Sequence, residues 1–169
     1  MNDSLSFLYD GWQKANSRLV DGVRDLTPEQ LAFAPAPSAW PIWALAAHTA
    51  GTRVYWLCGI FKEPGADTTP FPDASGYGWE DDPATPRRSD ELVMALETSW
   101  RIVERCLRTW QPAALAEEFT RVIAGKTQIH TRQSVLMRMI THDAFHSGEI
   151  SSILGTHGLP EIDLWRPAT

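Results

Sequence analysis

Four segments of this chain repeat apolar residues at spacings of three and four, and each ends near proline or glycine. That spacing places the apolar side chains on one face of an α-helix, which has to be buried against another element. The first segment runs from about Asp3 to Asp25, with Leu8, Trp12, Ala15, Leu19, Val23 and Leu26 in register. The second follows the proline-rich stretch LTPEQLAFAPAPSAW. Ser38 is its candidate N-cap, Pro41 suits its first turn, and Glu63-Pro64-Gly65 stops it after about Lys62. Ser89 caps the third, with Asp90 and Glu91 in the favourable first turn. Its inner face carries Leu92, Leu96, Ser99, Val103, Cys106 and Trp110, and Pro112 closes it. The fourth starts at Thr131 and runs to about Leu154, where Gly155 or Gly158 ends it and Pro160 prevents continuation.

Between the second and third segments lies GADTTPFPDASGYGWEDDPATPRR, residues 65–88, too rich in proline and glycine for regular structure. A loop of that length in a compact domain is functional or crosses between distant helices. Before the fourth segment, Phe119–Ile123 and Lys126–His130 alternate around Ala124-Gly125, the pattern of a short β-hairpin. The expected fold is therefore all-α. It is a single four-helix bundle domain over residues 1–169, with a long crossover loop between helices 2 and 3 and a short β-hairpin before helix 4.

Composition excludes several functions. The net charge of −6 and the lack of a run of Lys and Arg argue against nucleic-acid binding, which needs a basic face. No apolar stretch reaches the ~18 residues of a membrane span. Cys58 and Cys106 sit in apolar stretches on separate helices and form no CxxC pair. With no signal-peptide pattern at the N-terminus, they read as buried thiols in a reducing, cytoplasmic compartment, a disulfide between them being the less favoured alternative. The eight tryptophans belong mainly to core and helix interfaces.

His142 and His146 carry the chemistry. Four residues apart in THDAFHSGEISSIL, they lie one above the other on a helix, on the stripe of Val135, Met139, Glu149, Ile150 and Ile153. His48 lies on a comparable stripe of the second helix, with Leu45, Thr49, Thr52 and Trp56. If the two helices are neighbours, three imidazoles converge on one point in the core. Three such rings can ligate a divalent metal and leave a position open, as catalytic sites do. The alternative is three core histidines satisfied by hydrogen bonds, at about 1–3 kcal/mol for each imidazole left without a partner. Glu149, three residues past His146, is the catalytic candidate: a general base, a partner of metal-bound water or a fourth ligand. Its alternative is a Glu paired with an Arg or a Trp N–H. Asp143 stands where the HExxH signature of zinc proteases has Glu, and Ser152 where the extended form has its third His. That signature is not met, and Asp143 reads as a carboxylate behind the ligands or on the surface. His130 and His157 sit among turn residues and read as surface groups. Trp43, Tyr55 and Trp56 are core or pocket-lining residues. Tyr77 and Trp79 cover the mouth of a site or join a subunit interface.

Two blocks of the chain, LTPEQLAFAPAPSAWPIWALAAHTAGTRVYW and TRQSVLMRMITHDAFHSGEISSILGTHGLP, resemble those of the DinB/YfiT-like superfamily of metal-binding four-helix bundles. His48, His142 and His146 match the family's three ligands. Ser147 stands where the family commonly has Arg, and Glu149 where it commonly has Gln. The resemblance implies a divalent ion, nickel or zinc first and iron or manganese after them, and a homodimer. It also implies a small-molecule substrate, including low-molecular-weight thiols, and either S-transfer or hydrolysis. The competing class is a non-catalytic metal or small-ligand binding protein of the stress response.

Overall fold

The computed structural model describes Leu5 and residues 10–163. Four main helices pack around one core: α1 (Asp10–Arg24), α3 (Ile42–Val54), α4 (Ser89–Thr109) and α5 (Arg132–Thr156). A single-turn helix, α2 (Pro28–Leu31), joins α1 to α3. An antiparallel hairpin, β1 (Glu118–Ile123) with β2 (Lys126–Thr131), precedes α5. The expected bundle with its hairpin is the observed fold. The start of α1 at Asp3 and the place of Leu8 lie outside the described residues.

Local chemistry accounts for most boundaries. Thr131 Oγ1 accepts a hydrogen bond from Ser134 N at 3.1 Å, capping α5 as the sequence implies. Glu91 accepts from Arg88 N at 3.0 Å, so the carboxylate expected in the first turn of α4 closes its N-terminus, and the cap residue is Arg88 rather than Ser89. Similarly, Pro41 and not Ser38 precedes α3. The turn residues Ala124 and Gly125 take positive φ of 49° and 74°, which lets the two strands twist together. Helix α2 adds to the four expected helices; Thr27 and Gln30 form the reciprocal capping box that TPEQ spells out. Residues 65–88 also hold two short 3₁₀ turns, Ala66–Thr68 and Trp79–Asp81.

The long connection does not hold its helices apart. Helix α3 packs against α4 and α5, and α1 packs against α4 and α5. The second and third main helices are therefore neighbours, and the diagonal steps are α1 to α3 and α4 to α5. What the long segment does instead is fold back over the end of α3. There the helix widens into a π turn at Tyr55–Ile60, of the kind often found beside functional sites. A Cβ on Gly59 would stand 2.5 Å from the Ala74 carbonyl oxygen, so glycine is what allows the loop backbone to approach.

The core runs between the four helices through Val23, Leu57, Leu92, Leu96, Val135, Met139 and Ile150, all buried. Cys58 and Cys106 are both buried free thiols, and burial first, then the charge of Glu63, pushes the Cys106 thiol up to about 12. In the midst of this apolar interior sits Arg53, fully buried. Its Nε and Nη2 donate to Asp143 Oδ2 at 3.0 and 2.7 Å. Its Nη1 donates to Asn16 Oδ1 at 2.7 Å and to the Leu96 carbonyl at 3.3 Å. Trp12 Nε1 donates to the same Asp143 oxygen at 2.8 Å. Asp143 is thus a core ion-pair partner. Asp143→Ala would leave a buried guanidinium unpaired, at about 3–5 kcal/mol of stability, whereas Arg53→Met combined with Asp143→Leu should recover much of the loss. Urea unfolding checks both; a single-variant loss below about 1 kcal/mol would show that the pair does not hold the bundle together.

Candidate metal centre

His48 comes from the middle of α3 and His142 and His146 from successive turns of α5, two helices in direct contact. The helical stripes therefore bring the three rings together as their spacing requires. His142 Nε2 lies 2.9 Å from His48 Nε2 and 3.2 Å from His146 Nε2. Ligand atoms of all three fall within 4.8 Å of one another, a cluster that can hold one metal ion.

The outer ring nitrogens explain why the inner ones converge. His48 Nδ1 is 2.6 Å from Glu80 Oε1, and His146 Nδ1 is 2.6 Å from Glu149 Oε2. A carboxylate at that distance assigns the ring proton to Nδ1 and turns the Nε2 lone pair inward. Glu80 had not been singled out in the sequence. It stands on the 3₁₀ turn Trp79–Asp81, inside the loop whose length alone marked it as functional, with its side chain 7% exposed. Glu149 lies on α5 three residues past His146, behind the ring rather than among the inward nitrogens.

The donor set fits a cation. With two protons held on Nδ1 atoms, at most the single proton of His142 is left for three facing nitrogens, and one donor cannot satisfy two lone pairs well. His142 Nδ1 and Glu80 Oε2 are buried and have no hydrogen-bond partner among the described residues. Burial, followed by the charges of His146 and His48, lowers the His142 pKa to about 3, so the ring is neutral and able to ligate at pH 7. Burial also lowers that of His146, and the hydrogen bond that His146 donates to Glu149 opposes the shift.

A cavity of about 570 Å³ opens beside His48 and His142. The π turn supplies Tyr55 and Trp56, the 71–80 loop supplies Phe71, Tyr77 and Glu80, and the hairpin and α5 supply Arg121 and Arg138. Trp56 is buried beneath this wall, whereas Trp43 is core. Tyr77 is exposed at the cavity lip, and Trp79 packs on Phe71 with ring centroids 5.2 Å apart. His130 packs edge-on to Trp56, and His157 stacks on Phe33, so neither joins the cluster. Trp40 covers His48 from outside at 4.8 Å between centroids.

Fold and site together define a four-helix bundle with a three-histidine cluster suited to a metal ion. The chain belongs to the DinB superfamily, whose profile matches residues 12–150. A crystal structure of a DinB-like protein from Bacillus cereus ATCC 10987 shares its fold, with a TM-score of 0.66 at 18% identity. That match covers 100% of this chain and 99% of the other. No curated protein sequence matches this chain. Among the described residues no helix is long and apolar enough to cross a membrane.

The lowered His142 value sets a pH dependence for the metal-free protein. Above the ordinary imidazole pKa of ~6.5 the ring is neutral folded or unfolded, and its contribution is fully present. As the pH falls below that value, the unfolded chain takes up a proton that the folded chain refuses, and stability declines down to about 3. Melting temperatures of the chelator-treated protein should therefore fall from pH 7 to pH 4, and His142→Gln should flatten the decline. An unchanged slope in that variant would assign the acid sensitivity to other groups.

Proposed function

We propose that the protein is a metal-dependent enzyme whose single divalent ion, nickel or zinc, is held by His48, His142 and His146 and activates water or a thiol. One observation carries the reading: three Nε2 atoms converge from two helices, with carboxylates set on the Nδ1 atoms of two of the rings. A cavity of small-molecule size beside the cluster supports an enzyme over a storage site. When bound, such an ion would lower the pKa of water or of a substrate thiol and supply a nucleophile at neutral pH. Imidazole donors suit nickel and zinc.

The protein's own groups position and shield. Glu80 holds the His48 ring from the loop, and Glu149 holds the His146 ring from within α5. We assign Glu149 to this positioning role, since its Oε2 already lies at hydrogen-bond distance from His146 Nδ1. Arg53 and Asp143 tie α3 to α5 within two turns of the histidines, which keeps the two halves of the ligand set in register. Trp40 and Phe145 limit water on the outer side of the rings. The cavity between Tyr55, Trp56 and the 71–80 loop would seat the substrate beside the histidines; activated water would make the activity hydrolysis, and an activated thiol S-transfer.

Elemental analysis of the untagged protein tests the ligand set. About one nickel or zinc per chain is expected, lost in His48→Ala and in His142→Ala. Glu80→Gln and Glu149→Gln should keep the fold and weaken metal affinity by about 10- to 100-fold. Wild-type protein that takes up no divalent ion after incubation with nickel and zinc would sink the proposal.

A further inference from the structure

Arg121 and Arg138 line the same cavity as His48 and His142. Six other arginines, Arg24, Arg53, Arg87, Arg88, Arg108 and Arg132, pair with carboxylates. Among the described residues Arg121 and Arg138, like Arg101 and Arg105, form no ion pair, but only Arg121 and Arg138 line this cavity. Yet Arg121 is held firmly. Its guanidinium lies 4.4 Å from the Trp56 ring centroid, its Nε donates to Gln128 Oε1 at 2.9 Å, and its Nη1 donates to Tyr55 Oη at 3.3 Å. Arg138 lies over the same indole at 5.4 Å. One buried tryptophan thus gathers two guanidiniums beside the cavity, Arg121 fixed by neutral hydrogen-bond partners and Arg138, exposed, by the indole face. Their combined charge reaches His130, whose pKa is lowered by burial first and then by these two arginines.

The acidic groups on the same wall do not pair with these arginines. Glu80 is bound to His48, and Asp73 accepts from Ser75 N at 3.2 Å and pairs with Ser75 Oγ at 3.1 Å inside its own loop. We propose that the cavity takes a small molecule bearing a carboxylate, recognised by Arg121 and Arg138 while its reactive end faces His48 and His142. This rests on the metal-dependent reading of the histidine cluster and adds a substrate class to it. Guanidinium pairs suit planar oxyanions, and a single negative charge is favoured over a phosphate dianion because Asp73 and Glu80 share the cavity. The volume of about 570 Å³ accommodates a molecule of modest size.

The test compares 3-mercaptopropionate with 3-mercapto-1-propanol, similar thiols that differ in the carboxylate. Both are titrated calorimetrically into zinc-loaded and into metal-free protein. The acid is expected to bind about tenfold tighter or more in both forms. Arg121→Gln with Arg138→Gln should bring the two ligands to within about twofold and leave the affinity for the alcohol and the zinc content unchanged. Equal binding of acid and alcohol to the wild type overturns the proposal, as does a preference that the double variant keeps. Inorganic phosphate displacing the acid more effectively than acetate does would overturn the carboxylate assignment. Failure to load zinc while the acid preference holds on metal-free protein would overturn the metal reading and support the arginine pair; zinc loading without any preference would do the reverse. If the double variant does not fold, each single variant is expected to lose a clear part of the preference, and retention of all of it in both overturns the proposal.

Discussion

The guanidinium of Arg53 touches every main helix. It stands on α3, donates to Asn16 of α1, to the Leu96 carbonyl of α4 and to Asp143 of α5, and lies beside the Trp100 ring at 5.7 Å. A buried ion pair of this kind adds little net stability compared with an apolar replacement, because desolvating both charges cancels much of their attraction. Any sliding or rotation of α5 against α3 would separate two charges inside an apolar interior. Asp143 lies between His142 and His146, and Arg53 follows His48 on its own helix, so the register held by the charges is also the register of the histidines.

The site is accordingly built in two layers of different origin. The inward nitrogens come from rigid helices, whose period sets their spacing. The carboxylates behind them come from different places: Glu149 from the helix of the ring it holds, and Glu80 from a loop folded back over α3. That loop is seated by a close approach at Gly59, and by extension the His48 orientation depends on contacts made far from it in sequence. The same loop forms part of the cavity wall, so ring orientation and substrate space share one element.

Much of this was legible beforehand where physics is local. Helical periodicity located the four main helices, and Ala124-Gly125 located the hairpin turn, because both depend on neighbouring residues alone. The i, i+4 histidines and the single histidine on the second apolar stripe were readable for the same reason. TPEQ carries the capping-box signal for α2. Arg53 also had a signal: it is the lone charge in the α3 stretch IWALAAHTAGTRV. Glu80 had none, since nothing in GYGWEDD distinguishes a carboxylate that meets a histidine 32 residues away from one that meets water.

By itself, then, the sequence determined which residues share a helix face, where α3, α4 and α5 begin and α1 and α4 end to within a turn, and which imidazoles were placed to meet. Those are consequences of backbone geometry and short-range sterics. Only the tertiary structure decided which helices are neighbours, that the long loop covers α3 instead of separating α3 from α4, and which carboxylates stand behind the histidines. It also decided that Arg121 and Arg138 flank the same indole. Such pairings depend on the packing of whole elements, and a residue's place in the chain says nothing about which distant charge will be left facing it.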